Sequence, residues 1–196
     1  MKVTSARLAP GSRTMYALAA AAAAAGVTAS LATTPNAIGI CGAGLALLMA
    51  AIAAIDARQF IIPDELNAAA LILALVHAGI ERNEIGLEGV AGALMRAAAL
   101  SLLFLGLRIA YRRLRNRDGL GLGDVKLAGV AGAWLSWQTI PLAIETAALA
   151  ALAAYALRRC FSGDTFRAGS RLPFGLFLAP TIWLGWLLEA MQITQP

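Results

Sequence analysis

The sequence predicts an all-α polytopic membrane protein, a single domain (1–196) built as a bundle of about seven transmembrane helices. Three observations carry this. Hydrophobic residues fill 60% of the 196 positions and charged residues only 14%, too apolar a balance for an ordinary soluble domain. The apolar residues fall in runs close to the length that crosses a bilayer, about 20 residues. The charges lie between these runs, so the net charge of +5 marks no nucleic-acid-binding face. Anionic lipid head groups are the fitting partner. Two cysteines, Cys41 and Cys160, fall near opposite ends of their runs, so no disulfide is expected. With a single histidine, no metal-ligating cluster forms, and neither metal nor organic cofactor is expected.

The basic start (Lys2, Arg7, Arg13) precedes an Ala-rich run, Met15 to Leu31. Lacking a clean cleavage site, the run reads as a retained first helix, not a removed signal. Thr33-Thr34-Pro35-Asn36 reads as a turn. A second helix is expected from Ala37 to Ile55, then a short link from Asp56 to Asp64. Pro63 suits a first helical position, and Asp64 and Glu65 suit the positive end of a third helix reaching Ala78. Glu81, Arg82, Glu84 and Glu88 form an acidic loop before a fourth helix, Gly89 to Leu107. Arg108, Arg112, Arg113, Arg115 and Arg117 follow as a basic loop closed by Asp118-Gly119. A fifth helix runs from Asp124 to Trp134 and Trp137, and a sixth from Pro141 to Leu157. Arg158, Arg159, Arg167 and Arg171 fill the next loop, with Ser162-Gly163-Asp164 as a turn. The last helix begins around Leu172-Pro173-Phe174-Gly175 and ends near Met191.

Basic loops favour the cytoplasmic side. With the N-terminus in the cytoplasm, the Asp56 link and both Arg loops face inward, while the acidic loop faces outward. This puts Asp56 and Asp124 on the same side. From Asp124 to Trp137 there are 14 residues, about 21 Å at 1.5 Å per residue. If Trp134 and Trp137 lie in the outer aromatic belt, Asp124 sits below the inner surface.

A carboxylate at the mouth of an apolar helix is a functional candidate. Here there are two, Asp56 and Asp124, remote in sequence. Adjacent carboxyls sharing one proton can activate water and protonate a leaving group. At about 4 Å and an effective dielectric near 20 they would repel by about 4 kcal/mol, so one stays protonated and they titrate as a pair. Gly121 and Gly123 remove side-chain bulk, letting Asp124 approach the end of the second helix.

Three separated motifs now stand out: Ile55-Asp56-Ala57-Arg58 with Ile62-Pro63-Asp64; Gly119-Leu120-Gly121-Leu122-Gly123-Asp124-Val125-Lys126; and Leu172-Pro173-Phe174-Gly175-Leu176-Phe177-Leu178-Ala179. In this order, at helix edges, they resemble the type IV prepilin leader peptidases among the GxGD aspartyl membrane proteases. The resemblance covers residues 38–190. It implies that Asp56 and Asp124 are the catalytic pair, and that the chain cuts basic leaders from prepilin or pseudopilin precursors at the cytoplasmic face of the bacterial inner membrane. The chain looks like the short, peptidase-only form used with Flp/Tad-type pili, without the Cys-x-x-Cys domain linked to methylation. Leu176 stands where the family's third motif usually carries a second proline.

Around the pair, Arg58 and Lys126 are expected as supporting residues, against membrane-edge anchoring and snorkelling as plainer roles. Phe60, Ile61, Pro173, Phe174 and Gly175 are candidates for a substrate groove, against lipid-facing packing. Asp64 reads as a helix-start residue, and His77 as a packed helix histidine far from the site. Arg96 and Glu145, both inside apolar runs, are expected to pair. A transporter, a pilus-assembly scaffold, or an inactive pilin-binding member are the alternatives, and self-association stays open.

Overall fold

A computed structural model describes residues 10–81, 87–116, 119–162 and 173–193. They form seven α-helices and, among the described residues, no strand. The expectations for Lys2, Arg7, Arg82, Glu84, Arg117, Asp118, Gly163-Asp164, Arg167, Arg171 and Leu172 lie outside them.

Helix α1 (Pro10–Thr33) is longer than expected at both ends. Its alanines are the best helix formers. The expected turn follows, and the Asn36 side chain caps α2 (Ala37–Gln59), accepting from the Ile38 and Gly39 N–H groups at 2.9 and 3.3 Å. α2 continues four residues past Ile55, so Asp56 lies in its last turn, not in a link. It stops at Phe60, whose left-handed backbone (φ 54°) lets its N–H bond the Asp56 carbonyl at 3.0 Å. α3 (Asp64–Glu81) starts immediately after Pro63 with two acids in its first turn. α4 (Leu87–Arg115) overruns its expected end by eight residues, so the basic stretch is largely helical. Arginine is a good helix former, and three of these cations complete the C-terminal turn, where the dipole favours them. α5 (Leu122–Trp134) is short, and α6 (Thr139–Ser162) and α7 (Phe174–Ile193) complete the set.

Five helices (α1, α2, α4, α6 and α7) are long and apolar enough to cross a membrane, which makes this an integral membrane protein. The other two fall short of that by charge or by length. α3 carries Asp64, Glu65 and Glu81, and α5 has only 13 residues. Every α5 residue from Leu127 to Trp134 is buried. α5 lies mainly against α4, with α3 and α7 on its other flanks; α2 bridges α1, α3 and α7, and α6 leans on α7.

In lipid, close packing rather than water exclusion holds helices together, and small residues permit it. A methyl at Gly132 would collide with the Arg96 carbonyl of α4. The Arg96 side chain returns to the same contact, its Nε donating to the Gly132 carbonyl at 3.1 Å. This corrects the expected Arg96–Glu145 pair: Glu145 lies on an exposed face of α6, and no ion pair joins the two among the described residues. Trp134 is also not where a belt residue would be. It is 3% exposed, and its indole donates to the Ala70 carbonyl at 2.9 Å. Trp137, by contrast, is exposed. His77 is packed as expected, beside Trp134 at 5.0 Å between ring centres, and its Nε2 accepts from the Trp186 indole at 3.1 Å. Cys41 and Cys160 are both free.

Candidate active site

The site assembles at the end of the bundle where α2 finishes and α5 and α7 begin. Asp56 is 4% exposed. A buried carboxylate needs donors, and they come from the first turn of α7. The Leu176 N–H donates to Asp56 Oδ2 at 2.9 Å, and the Gly175 N–H faces the same group. Unpaired N–H groups and the positive dipole end make a helix N-terminus a natural anion holder. The approach is close enough to require glycine. A methyl at Gly175 would stand 2.9 Å from Asp56 Oδ2 and 2.7 Å from Ile62 Cδ1.

Asp124 lies in the first turn of α5. Its Oδ2 accepts the Gly121 N–H at 3.1 Å, closing the turn on itself. Gly121 has an ordinary extended backbone (φ −70°), so Cβ room rather than unusual torsion is what its glycine supplies. The buried Ile62 side chain is wedged between α5 and α7. A methyl at Gly123 would stand 3.0 Å from its Cβ. Through this wedge the first turns of α5 and α7 meet beside Asp56.

The loop ahead of α5 is pinned by α4. Arg108 Nη1 donates to the Leu120 carbonyl at 2.6 Å, and the Tyr111 ring covers Gly119 so closely that any side chain there would collide. Arg108 therefore does more than meet head groups: it fixes the loop that delivers Asp124.

Both acids thus lie at one end of a bundle that is all-helical among the described residues. Residues 43–157, which include Asp56 and Asp124, match the model of the type IV leader peptidase family. The chain belongs to this family. It is 35% identical over 146 residues to a prepilin leader peptidase/N-methyltransferase of Burkholderia pseudomallei strain K96243, covering 74% of this chain and 45% of that protein. It is 31% identical over 132 residues to the leader peptidase HopD of Salmonella typhimurium, covering 67% of this chain and 82% of that one. A Pseudomonas aeruginosa prepilin leader peptidase/N-methyltransferase is 31% identical over 151 residues, with 74% and 48% covered. The chain thus spans about half the length of the bifunctional relatives it matches. No solved structure matches.

The other residues expected around the two acids distribute unevenly. Lys126 reaches Asp64, Nζ to Oδ1 at 2.6 Å, with both side chains largely exposed. Asp64 opens α3, as expected. Arg58 stacks on Tyr16 of α1, 4.9 Å from the ring centre, and so ties α2 to α1. Phe60 and Ile61 are exposed, while Pro173 and Phe174 are half-buried ahead of Gly175. Ile62, Leu176, Arg108 and Tyr111 were not singled out from the sequence as site residues. For Leu176 the signal was present in the third motif. The Arg108 contact becomes visible only once α4 extends past Leu107.

Proposed function

We propose that Asp56 and Asp124 are the catalytic pair of an aspartic endopeptidase that removes basic leaders from prepilin-like precursors. What supports this is the placement of both carboxylates at one end of the bundle, Asp56 held by the first turn of α7 and Asp124 in the first turn of α5, with Ile62 packed between those two turns. There one acid holds the shared proton for the leaving amine while the other takes a proton from the attacking water. Both acids at one end of the bundle argue against a proton-coupled transporter, which would hold its acids near the bilayer midplane.

Precursors of the Flp/Tad type are our reading of the substrate, supported by the match to a relative named simply a leader peptidase, 82% of which is covered. The cytoplasmic side of the inner membrane is our reading of the location, supported by the Arg-rich end of α4 at the same end of the bundle as Asp124. There the carboxylates would also lie near anionic head groups.

Co-expression with a prepilin-type precursor tests the reaction. Asp56→Asn and Asp124→Asn should each accumulate normally and lower cleavage by about a hundred- to ten-thousandfold, the usual worth of acid–base catalysis. Processing that survives in both variants would rule the reading out. The rate should show a bell-shaped pH dependence whose two limbs belong to the pair jointly.

A further inference from the structure

α5 carries Asp124 and is apolar over most of its length, so little in its sequence fixes how far it slides or turns against its neighbours. Apolar contacts tolerate such drift, whereas a hydrogen bond fails once its length or angle changes. Two polar contacts tie α5 to α3, one at each end. Near its start, Lys126 Nζ donates to Asp64 Oδ1 at 2.6 Å. At its close, the Trp134 indole donates to the Ala70 carbonyl at 2.9 Å. Lys126 to Trp134 is eight steps, about 12 Å, and Asp64 to Ala70 is six, about 9 Å. The two helices therefore run parallel, and the two long side chains of α5 take up the difference. A third contact lies just ahead: a methyl at Gly123 would stand 3.0 Å from Ile62 Cβ, in the link that joins α2 to α3. Gly123 and Lys126 are one helical turn apart, so they share a side of α5. Asp124 falls between them.

We propose that Asp64 and Lys126 are positioning residues for the reaction, an ion pair that sets the depth and rotation of the first turn of α5 and so aims Asp124. The proposal rests on the reading of Asp56 and Asp124 as the catalytic pair. The two partners reach back to the two acids by short routes. Lys126 is two residues from Asp124 on one helix. Asp64 is eight residues from Asp56, and that path is stiff. The Phe60 N–H closes on the Asp56 carbonyl, Ile62 is packed between Gly123 and Gly175, and Pro63 leads directly into α3. The ion pair thus closes a ring that contains both acids. Arg108 and Tyr111 of α4 hold the loop ahead of the helix, at Leu120 and Gly119, not the turn that bears Asp124. The Lys126 and Asp64 side chains are 50% and 69% exposed, so their contact adds little to stability. Its effect is on geometry, to which a reaction shared between two carboxyls is far more sensitive than folding is.

The test is a double-mutant cycle in the whole protein, reconstituted in lipid nanodiscs, with a prepilin-type precursor as the probe. Lys126→Met, Asp64→Asn and the double variant are compared with the parent for kcat and KM. Each single change should lower kcat about fivefold, the most that an exposed ion pair can bias, and leave KM within about twofold. The double variant should be no slower than either single one, because the second change removes nothing more. Lys126→Arg keeps the pair and should stay within about twofold of the parent. Single variants that cut at the parent rate, or losses that multiply in the double variant, would overturn the lock. So would a loss in Lys126→Met alone, which would mark the ammonium as acting on Asp124 without Asp64. Thermal unfolding accompanies every variant. A loss of kcat that tracks a lowered melting temperature and persists in Lys126→Arg is plain destabilisation and also overturns the proposal. If Asp56→Asn and Asp124→Asn still cut, the reading of the acid pair itself fails. If they do not cut while Lys126→Met and Asp64→Asn match the parent, only the lock fails.

Discussion

Asp56 is held by backbone, and that makes its neighbours in α7 more informative than their side chains suggest. Gly175→Ala would push a methyl against Asp56 Oδ2 and Ile62 Cδ1. Overpacking of this kind costs about 1–3 kcal/mol, so the variant should melt lower and lose cleavage at least about tenfold, read by thermal unfolding in detergent and by precursor processing. Leu176→Pro keeps a residue that the first turn of a helix tolerates but removes the N–H that reaches Asp56. One hydrogen bond to a charged group contributes about 1.5–3 kcal/mol when nothing replaces it. Proline is the residue noted above as usual at this place in the family's motif, and the Gly175 N–H still faces the carboxylate. The kcat should therefore stay within about threefold of the parent, and single-turnover cleavage measures it. The two acids were legible in the sequence because carboxylates are rare and expensive at the edge of apolar runs. Leu176 was not legible in the same way, since its contribution is an N–H that every residue except proline possesses.

Among the elements, α5 shows where pattern reading ends. Its existence and start were plain from glycines followed by a long apolar run. Its surroundings were not, because a helix buried on all sides has no polar face to betray direction. Trp134 was therefore placed in an aromatic belt when it in fact donates into the core at Ala70. Trp134→Phe should remove that interior hydrogen bond and cost about 0.5–1.5 kcal/mol, measurable by SDS-induced unfolding. Charges misled in a similar manner. Arg96 was matched with Glu145, the other charge inside an apolar run, but it donates instead to the Gly132 carbonyl, which lies in the last turn of α5 without an intrahelical donor. The Lys126–Asp64 contact is short yet largely exposed, so Lys126→Met should change stability by less than about 1 kcal/mol in the same assay.

At the scale of the whole molecule, the helix number and order were readable because seven apolar runs are separated by turn residues and charges. The neighbour relations were not, since those are decided by which alanine and glycine faces fit together. Trp186 shows what that fit is worth. It is 2% exposed, lies over Gly42 and bonds His77, so it ties α7 to α2 and α3 at once. Trp186→Ala should cost about 3–5 kcal/mol and loosen the end of the bundle opposite the acids.

The brevity of α5 also bears on how the protein is made. Thirteen residues cover about 20 Å, less than a bilayer core of about 30 Å, so this segment is a poor candidate for insertion by itself. It depends on companions already in lipid. A nascent chain ending at residue 137 should therefore leave a glycosylation tag after α5 on the side where synthesis began, and only longer chains should carry it across. Until α7 emerges, the newborn polypeptide carries both acids but lacks the N–H that holds Asp56, so, on the role proposed for the pair, maturation and activation would be the same event.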